Sequence, residues 1–204
     1  MIDDAFFPAT TMPDWEWWRA LWPDPAEVLR SLGIGPGMTA VDLCCGDGYF
    51  TAPMSRVVGE GGRVIGIDML PAMLEAAKAH VAREGLDNVT WIEADARHLP
   101  SVLARPVDMV VIANTFHGVP DKTGLAGAVA AILDSGGRFA VVNWHAAHSN
   151  EETPVLGKPR GPAPGMRLSP EATRAAVEPA GFVSDAVEEV GPYHYGAVFR
   201  KVAD

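Results

Sequence analysis

Two aspartates, a glycine pair and two neighbouring cysteines are the residues with the most chemistry in this chain. The stretch AVDLCCGDGYFT, residues 40 to 51, puts Asp42 at the end of an apolar run and Gly46 and Gly48 in a turn before a helix. Glycines let the main chain approach a ligand with no Cβ in the way. A second acid, Asp68, lies twenty residues beyond Gly48, the distance at which an acid meets the hydroxyls of an adenosine ribose. Dinucleotide sites follow G-x-G-x-x-G, and here Thr51 occupies the third glycine position. A pyrophosphate needs backbone N–H groups and no anion beside it. Asp42 would repel a phosphate but attract an ammonium or sulfonium, so a ligand that is adenosine at one end and cationic at the other satisfies both acids.

Cys44 and Cys45 are the only cysteines. Adjacent residues form a strained disulfide, and C-C lacks the spacing of a metal-binding C-x-x-C. They read as small buried thiols beside the turn, and no metal site is expected.

The elements that must hold these residues alternate. Strands are expected at 39–45, 62–69, 89–95, 107–114 and 136–144, with helices at 49–59, at 70–85 (Pro71 in its first turn) and at 121–133. Near-continuous Val/Ile/Ala strands between helices indicate a parallel sheet covered on both faces. Residues 145 to 168 hold four prolines and three glycines without periodicity, a loop long enough to act as a lid. Ser169 then caps a helix, and two runs separated by GPY can only be an antiparallel hairpin. The expected fold is α/β: Rossmann-like, doubly wound, with a mostly parallel seven-stranded sheet and an antiparallel last strand. Residues 1–30 form an aromatic helical segment, with Trp15, Trp18 and Trp22 on one face and Asp14 as N-cap, and 31–204 the main domain.

Composition narrows the partners. The net charge is −10 and no Lys/Arg cluster offers a face to nucleic acid or to an anionic membrane. The longest apolar run, VDMVVIANTF, is too short to span a bilayer. The opening residues lack a basic segment followed by an apolar one, so a cytoplasmic protein with reduced thiols is expected.

With these motifs in order, VDLCCGDGYFT resembles motif I of the class I S-adenosylmethionine-dependent methyltransferases. GIDM resembles their ribose-binding strand end, EADARHLP their adenine-contacting segment, and DMVVIANTFHGVPD motif IV of the small-molecule, ubiquinone/menaquinone-type branch. GGRFAVVNWH and the final hairpin are similar to the strands that follow. The resemblance spans roughly residues 30 to 204 and implies S-adenosyl-L-methionine as cofactor. It also implies roles: Asp42, Gly46 and Gly48 at the methionine part, Asp68 on the ribose and Met69 against the adenine. Asp95 and Ala96 would bond the adenine edge, and Asn114 would line the floor near the methyl group. The family has glycine or alanine where Cys44 and Cys45 stand.

On the acceptor side, His117 and His145 follow successive strands, and His194 and Tyr195 begin the last one at the same sheet edge. His145, His117 and Tyr195 are the candidates for acceptor binding and proton removal, with Trp18, Arg160 and His194 as further substrate contacts. A histidine at a strand end is as readily a hydrogen-bonding edge residue. A metal held by His117, His145 and His194 together is the lesser alternative. Lys158, Arg160 and Arg167 could place positive charge over the site, or be solvated loop charges. The tryptophan segment can serve as core, substrate cage or homodimer contact. The expected activity is methyl transfer to a small molecule. The alternatives are a non-catalytic S-adenosylmethionine-binding sensor and, third, an NAD-dependent oxidoreductase.

Overall fold

The computed structural model describes residues 15–103 and 106–203, and the expected Asp14 cap lies outside them. Helices α1 (Trp15–Leu21) and α2 (Pro25–Ser31) lead into β1 (Thr39–Leu43), α3 (Thr51–Val58), β2 (Arg63–Asp68), α4 (Pro71–Arg83) and β3 (Val89–Glu93). Then come α5 (Leu99–Val102), β4 (Val107–Ala113), α6 (Lys122–Ile132) and β5 (Leu133–Trp144). The two-residue strands β6 (Pro154–Val155) and β7 (Lys158–Pro159), α7 (Pro170–Val177), β8 (Phe182–Glu189) and β9 (His194–Lys201) follow.

Seven strands form one sheet in the order β3-β2-β1-β4-β5-β9-β8. The first five are parallel, and β9 runs antiparallel between β5 and β8. The order reverses beside β1, because the chain leaves it toward β2 on one side and reaches β4 on the other. A crevice opens at the carboxyl ends of the strands at such a reversal, and this is where ligands bind in open α/β sheets.

Period-2 alternation sends the strand residues to two separate cores. Ala40, Met109, Val111, Ala140, Val142 and Trp144 pack with the tryptophans of α1 and the apolar residues of α2 and α3. Val41, Leu43, Val110, Ile112, Val141 and Tyr195 pack with α6 and α7 on the opposite face. Local signals set the helix starts. Asp24 accepts from the Ala26 and Glu27 N–H groups ahead of α2, and Ser169 accepts from Ala172 N–H ahead of α7. Pro71 and Pro170 stand in first turns, where their missing N–H costs nothing.

The stretch 145–168 has an organisation that its composition hides. Arg167 is 5% exposed and its guanidinium donates to Pro162 O, His148 O, Asn150 Oδ1, Thr153 Oγ1 and Arg160 O. The same group lies 5.0 Å over the Trp144 ring. Buried polar groups must be paired, and this single fork joins three carbonyls and two side chains of the loop. Arg167 is therefore the loop's internal tie and is not offered to a ligand above it.

Candidate active site

β1 delivers Asp42 to the crevice at 3% exposure, where Thr51 Oγ1 at the start of α3 donates to it at 2.5 Å. Burial is the main influence on this carboxyl and pushes its pKa up to about 7, with the Thr51 bond opposing and the Asp68 and Asp47 charges reinforcing. A desolvated acid of this kind gains most from a cation.

The turn after β1 is built by backbone geometry. Cys44, Gly46 and Gly48 all have positive φ, at 59°, 55° and 85°. At Gly48 a Cβ would meet Ala77 Cβ at 3.0 Å and Ala77 Cα at 3.1 Å, so α4 approaches the turn closely there. Asp68, at the end of β2, accepts from Gly46 N–H and Leu70 N–H, each at 2.9 Å. It therefore fixes the glycine turn from the next strand, and its remaining lone pairs are free for hydroxyl donors. Cys45 is buried and Cys44 half-buried. Burial pushes both thiols well above their ordinary range, which keeps them protonated and unreactive.

The remaining cofactor candidates sit around this turn. Met69 follows Asp68 half-buried. Asp95 caps the short 3-10 turn that begins at Ala96, and its carboxylate is gripped by the Arg97 guanidinium, which holds its pKa below the usual range. Asn114, just past β4, has φ 55°, and both its amide atoms are buried without a partner. An orphaned amide just past β4, a buried carboxylate on the paired strand β1 and a glycine turn held by a second acid together fit a ligand carrying an ammonium and a ribose.

Helix α1 covers one side of the crevice. Trp15 Nε1 donates to Asp47 Oδ2 at 2.8 Å, and the Trp15 ring lies 4.2 Å from that of His80. His80 is thus a packing partner for α1 and pairs with Glu84. Trp18 is buried against Trp22 (5.5 Å between centroids) and Tyr49 (5.9 Å). Tyr49 Oη donates to Trp22 O at 2.7 Å, and Trp22 Nε1 donates to Val190 O.

The acceptor-side candidates divide between the two faces of the sheet. His194 is fully buried with the α1 tryptophans, its ring 4.2 Å from Trp144 and 4.6 Å from Trp22, and neither nitrogen has a partner. Tyr195 points the other way, with its hydroxyl 2.6 Å from Thr173 Oγ1 and 3.3 Å from Ser169 O. His145 stacks edge-on to Tyr195 at 5.4 Å. His117, in a 3-10 turn after β4, is 8% exposed with Nδ1 buried, and burial holds its pKa below the ordinary imidazole value. Arg160 is exposed, and its carbonyl serves Thr153 and Arg167. Among the described residues no cluster of three or more His, Cys, Asp or Glu could hold a metal.

Sequence reading missed three contributors. Thr51 appeared only as a failed third glycine, yet it bonds Asp42. Asp47, between the glycines, anchors α1. Asn143, fully buried at the end of β5, was signalled by a lone amide in the apolar run FAVVNW.

The chain matches the family model described as "Methyltransferase domain" over residues 34–161. It is 32% identical over 117 residues to the demethylmenaquinone methyltransferase of Lactococcus lactis, covering 57% of this chain and 46% of that one. Against the aklanonic acid methyltransferase DauC of Streptomyces it is 36% identical over 104 residues, covering 51% and 47%. The chain thus spans about half the length of the curated relatives it matches. The crystal structure of a SAM-dependent methyltransferase from Aquifex aeolicus superposes with a TM-score of 0.78 at 26% identity, covering 93% of this chain and 94% of that one.

Proposed function

The chain belongs to the methyltransferase domain family, and from that premise we propose that it transfers a methyl group from S-adenosylmethionine to a small, ring-bearing acceptor. The names of the relatives, a demethylmenaquinone and an aklanonic acid methyltransferase, support that acceptor class, as does the tryptophan-rich wall of the crevice. The observation that carries the reading is Asp42, a carboxylate buried at the mouth of a glycine turn, where a phosphate would be repelled and a cation held.

Asp42 and the Gly46–Gly48 turn would hold the methionine part, Asp68 the ribose, and Met69, Asp95 and Ala96 the adenine. Asn114 would complete the floor. When bound, the cofactor supplies a methyl already activated on a sulfonium. The protein's own work is then positioning the acceptor, excluding water and removing a proton where the acceptor requires it. His117 suits the last task best, because burial keeps its imidazole neutral at physiological pH. His145 is the second candidate. Tyr195, whose hydroxyl is engaged by Thr173 and Ser169, serves better as a support for these rings. Trp18 and His194 would form the wall under α1, residues 1–30 a cap, and residues 31–204 the catalytic domain.

The test is calorimetry with S-adenosylmethionine, S-adenosylhomocysteine and NAD, followed by assay of S-adenosylhomocysteine release with hydroxylated quinone precursors. Binding of both adenosyl compounds, and release that depends on the acceptor, are expected. Binding of NAD in their place would sink the proposal.

A further inference from the structure

Helix α3 begins without a side-chain cap. Its N-cap position is Phe50, which makes no such bond, and its first residue is Thr51. A threonine at a helix start ordinarily accepts from its own helix's backbone. Here the hydroxyl is committed elsewhere: Thr51 Oγ1 donates to Asp42 Oδ2 on β1 at 2.5 Å. Thr51 is fully buried and Asp42 is 3% exposed, so water has little room to replace this donor. The other carboxylate oxygen, Oδ1, takes no hydrogen bond from the described residues and is not sealed in. One end of the carboxylate is thus fixed and the other open. The titratable groups around it are Asp68 on β2 and Asp47, Cys44 and Cys45 in the turn after β1. The two aspartates oppose ionisation of Asp42, and burial keeps the thiols neutral. The residues in register with Asp42 on the flanking strands, Gly66 and Val111, carry no charge. In these surroundings the Thr51 hydroxyl is the group that favours the charged form.

We propose that Thr51 is a positioning residue that fixes the Asp42 carboxylate through Oδ2 and leaves Oδ1 presented to the cationic end of the ligand. The inference rests on the reading of Asp42 as the acid that meets that cation. Threonine suits the position for two reasons. Its branched side chain has few χ1 wells in a helix, so a buried threonine holds its oxygen in one place. Its hydroxyl donates without bringing a charge, so the carboxylate keeps its full charge for the ligand. A lysine or arginine there would neutralise Asp42 and repel an ammonium or sulfonium. The bond has a second effect on the same site. Gly46 and Gly48 lie between the two bonded residues, so it also joins the strand that enters the glycine turn to the helix that leaves it.

The experiment is a carbon NMR titration of the full chain without added ligand, isotope-labelled at the aspartate carboxyls, with the Asp42 signal assigned by its loss in Asp42→Asn. In the unaltered protein that carboxyl should titrate at about pH 7. Thr51→Val keeps the shape but removes the donor. It is expected to raise the midpoint by about one to two pH units, the scale of one hydrogen bond to a charged group. Thr51→Ser restores a donor and is expected to bring the midpoint most of the way back. Calorimetry with S-adenosylmethionine over the same pH range is the second readout. Near neutral pH, Thr51→Val should bind roughly five- to fifty-fold more weakly, and it should approach the unaltered protein above its own higher midpoint. An unchanged midpoint in Thr51→Val, or a loss of affinity equal at every pH, overturns the proposal, because a merely structural threonine would behave so. If Thr51→Val does not fold, Thr51→Ala is judged by the same two outcomes. Absence of binding by the unaltered protein at every pH overturns the functional reading and this inference with it. Binding with an unshifted midpoint overturns this inference alone.

Discussion

The Trp15 indole donates a 2.8 Å hydrogen bond to the Asp47 carboxylate, which joins helix α1 to the residue between the two glycines of the turn after β1. Burial raises the Asp47 pKa, and the Trp15 bond is the chief influence opposing it. Trp15→Phe keeps most of the ring contact with Tyr49 and His80 but removes the donor. Losing one such bond to a charged group costs about 1–3 kcal/mol. The expected outcome is a lower melting temperature and faster amide exchange across α1.

If Asp42 holds the cationic end of the ligand as proposed, binding depends on pH. Its carboxyl titrates at about 7 in the free protein, chiefly because burial disfavours the charged form. A folded-state pKa above the unfolded one contributes stability at low pH that is lost as pH rises through about 7. A cationic ligand reverses that preference and binds the ionised form. Affinity for S-adenosylmethionine should therefore be flat above about pH 8 and fall roughly tenfold per unit well below pH 7, as one proton must leave. Asp42→Asn should weaken binding and flatten this profile in calorimetry.

Gly48→Ala tests the turn itself. The new Cβ would sit 3.0 Å from Ala77 Cβ at a φ of +85°. Strain of this kind costs on the order of 1–3 kcal/mol. Thermal unfolding should show the loss, and S-adenosylmethionine affinity should fall with it, whereas Gly85→Ala, which has positive φ but meets nothing within 4 Å, should cost less.

Asp68→Ala removes the acceptor for two backbone N–H groups as well as the proposed ribose contact. S-adenosylmethionine should bind about 1–3 kcal/mol more weakly, the scale of a charge-assisted bond. Asp68→Asn keeps one carbonyl oxygen for the turn. It should recover more melting temperature than affinity, which separates the two duties.

Arg167→Lys should loosen the stretch 145–168 even though charge is conserved. A lysine ammonium cannot reproduce a planar fork that serves five acceptors. Limited proteolysis within residues 149–163 should accelerate several-fold, while S-adenosylmethionine affinity, set at the other strand ends, should stay within about twofold.

The layout of the sheet was legible because its signals are local and repeated. VDLCC, RVIGID and DMVVIA are apolar runs bounded by turn residues, and Ser169 and Pro170 mark a helix start by type alone. The positions of Asp42, Asp68 and the glycines follow from that layout. What sequence could not show was side-chain direction near the strand ends. His194 and Tyr195 are neighbours in the chain, yet pleating sends one to the α1 tryptophans and the other to α7. The three histidines that seemed able to gather over one point are therefore divided by the sheet. Arg167 was equally hidden, because three of its five partners are backbone carbonyls, which every residue carries.

The two thiols beside the glycine turn have a consequence for a protein that handles a methyl donor. A cysteine thiolate is among the strongest nucleophiles a protein can present to a sulfonium. Cys44 and Cys45 stand in the turn after β1, among the carboxylates Asp42 and Asp68, with Asp95 also acting on Cys44. Burial and that negative surround keep both sulfurs protonated. The same environment that is proposed to welcome a cation would thereby guard the enzyme against alkylating itself.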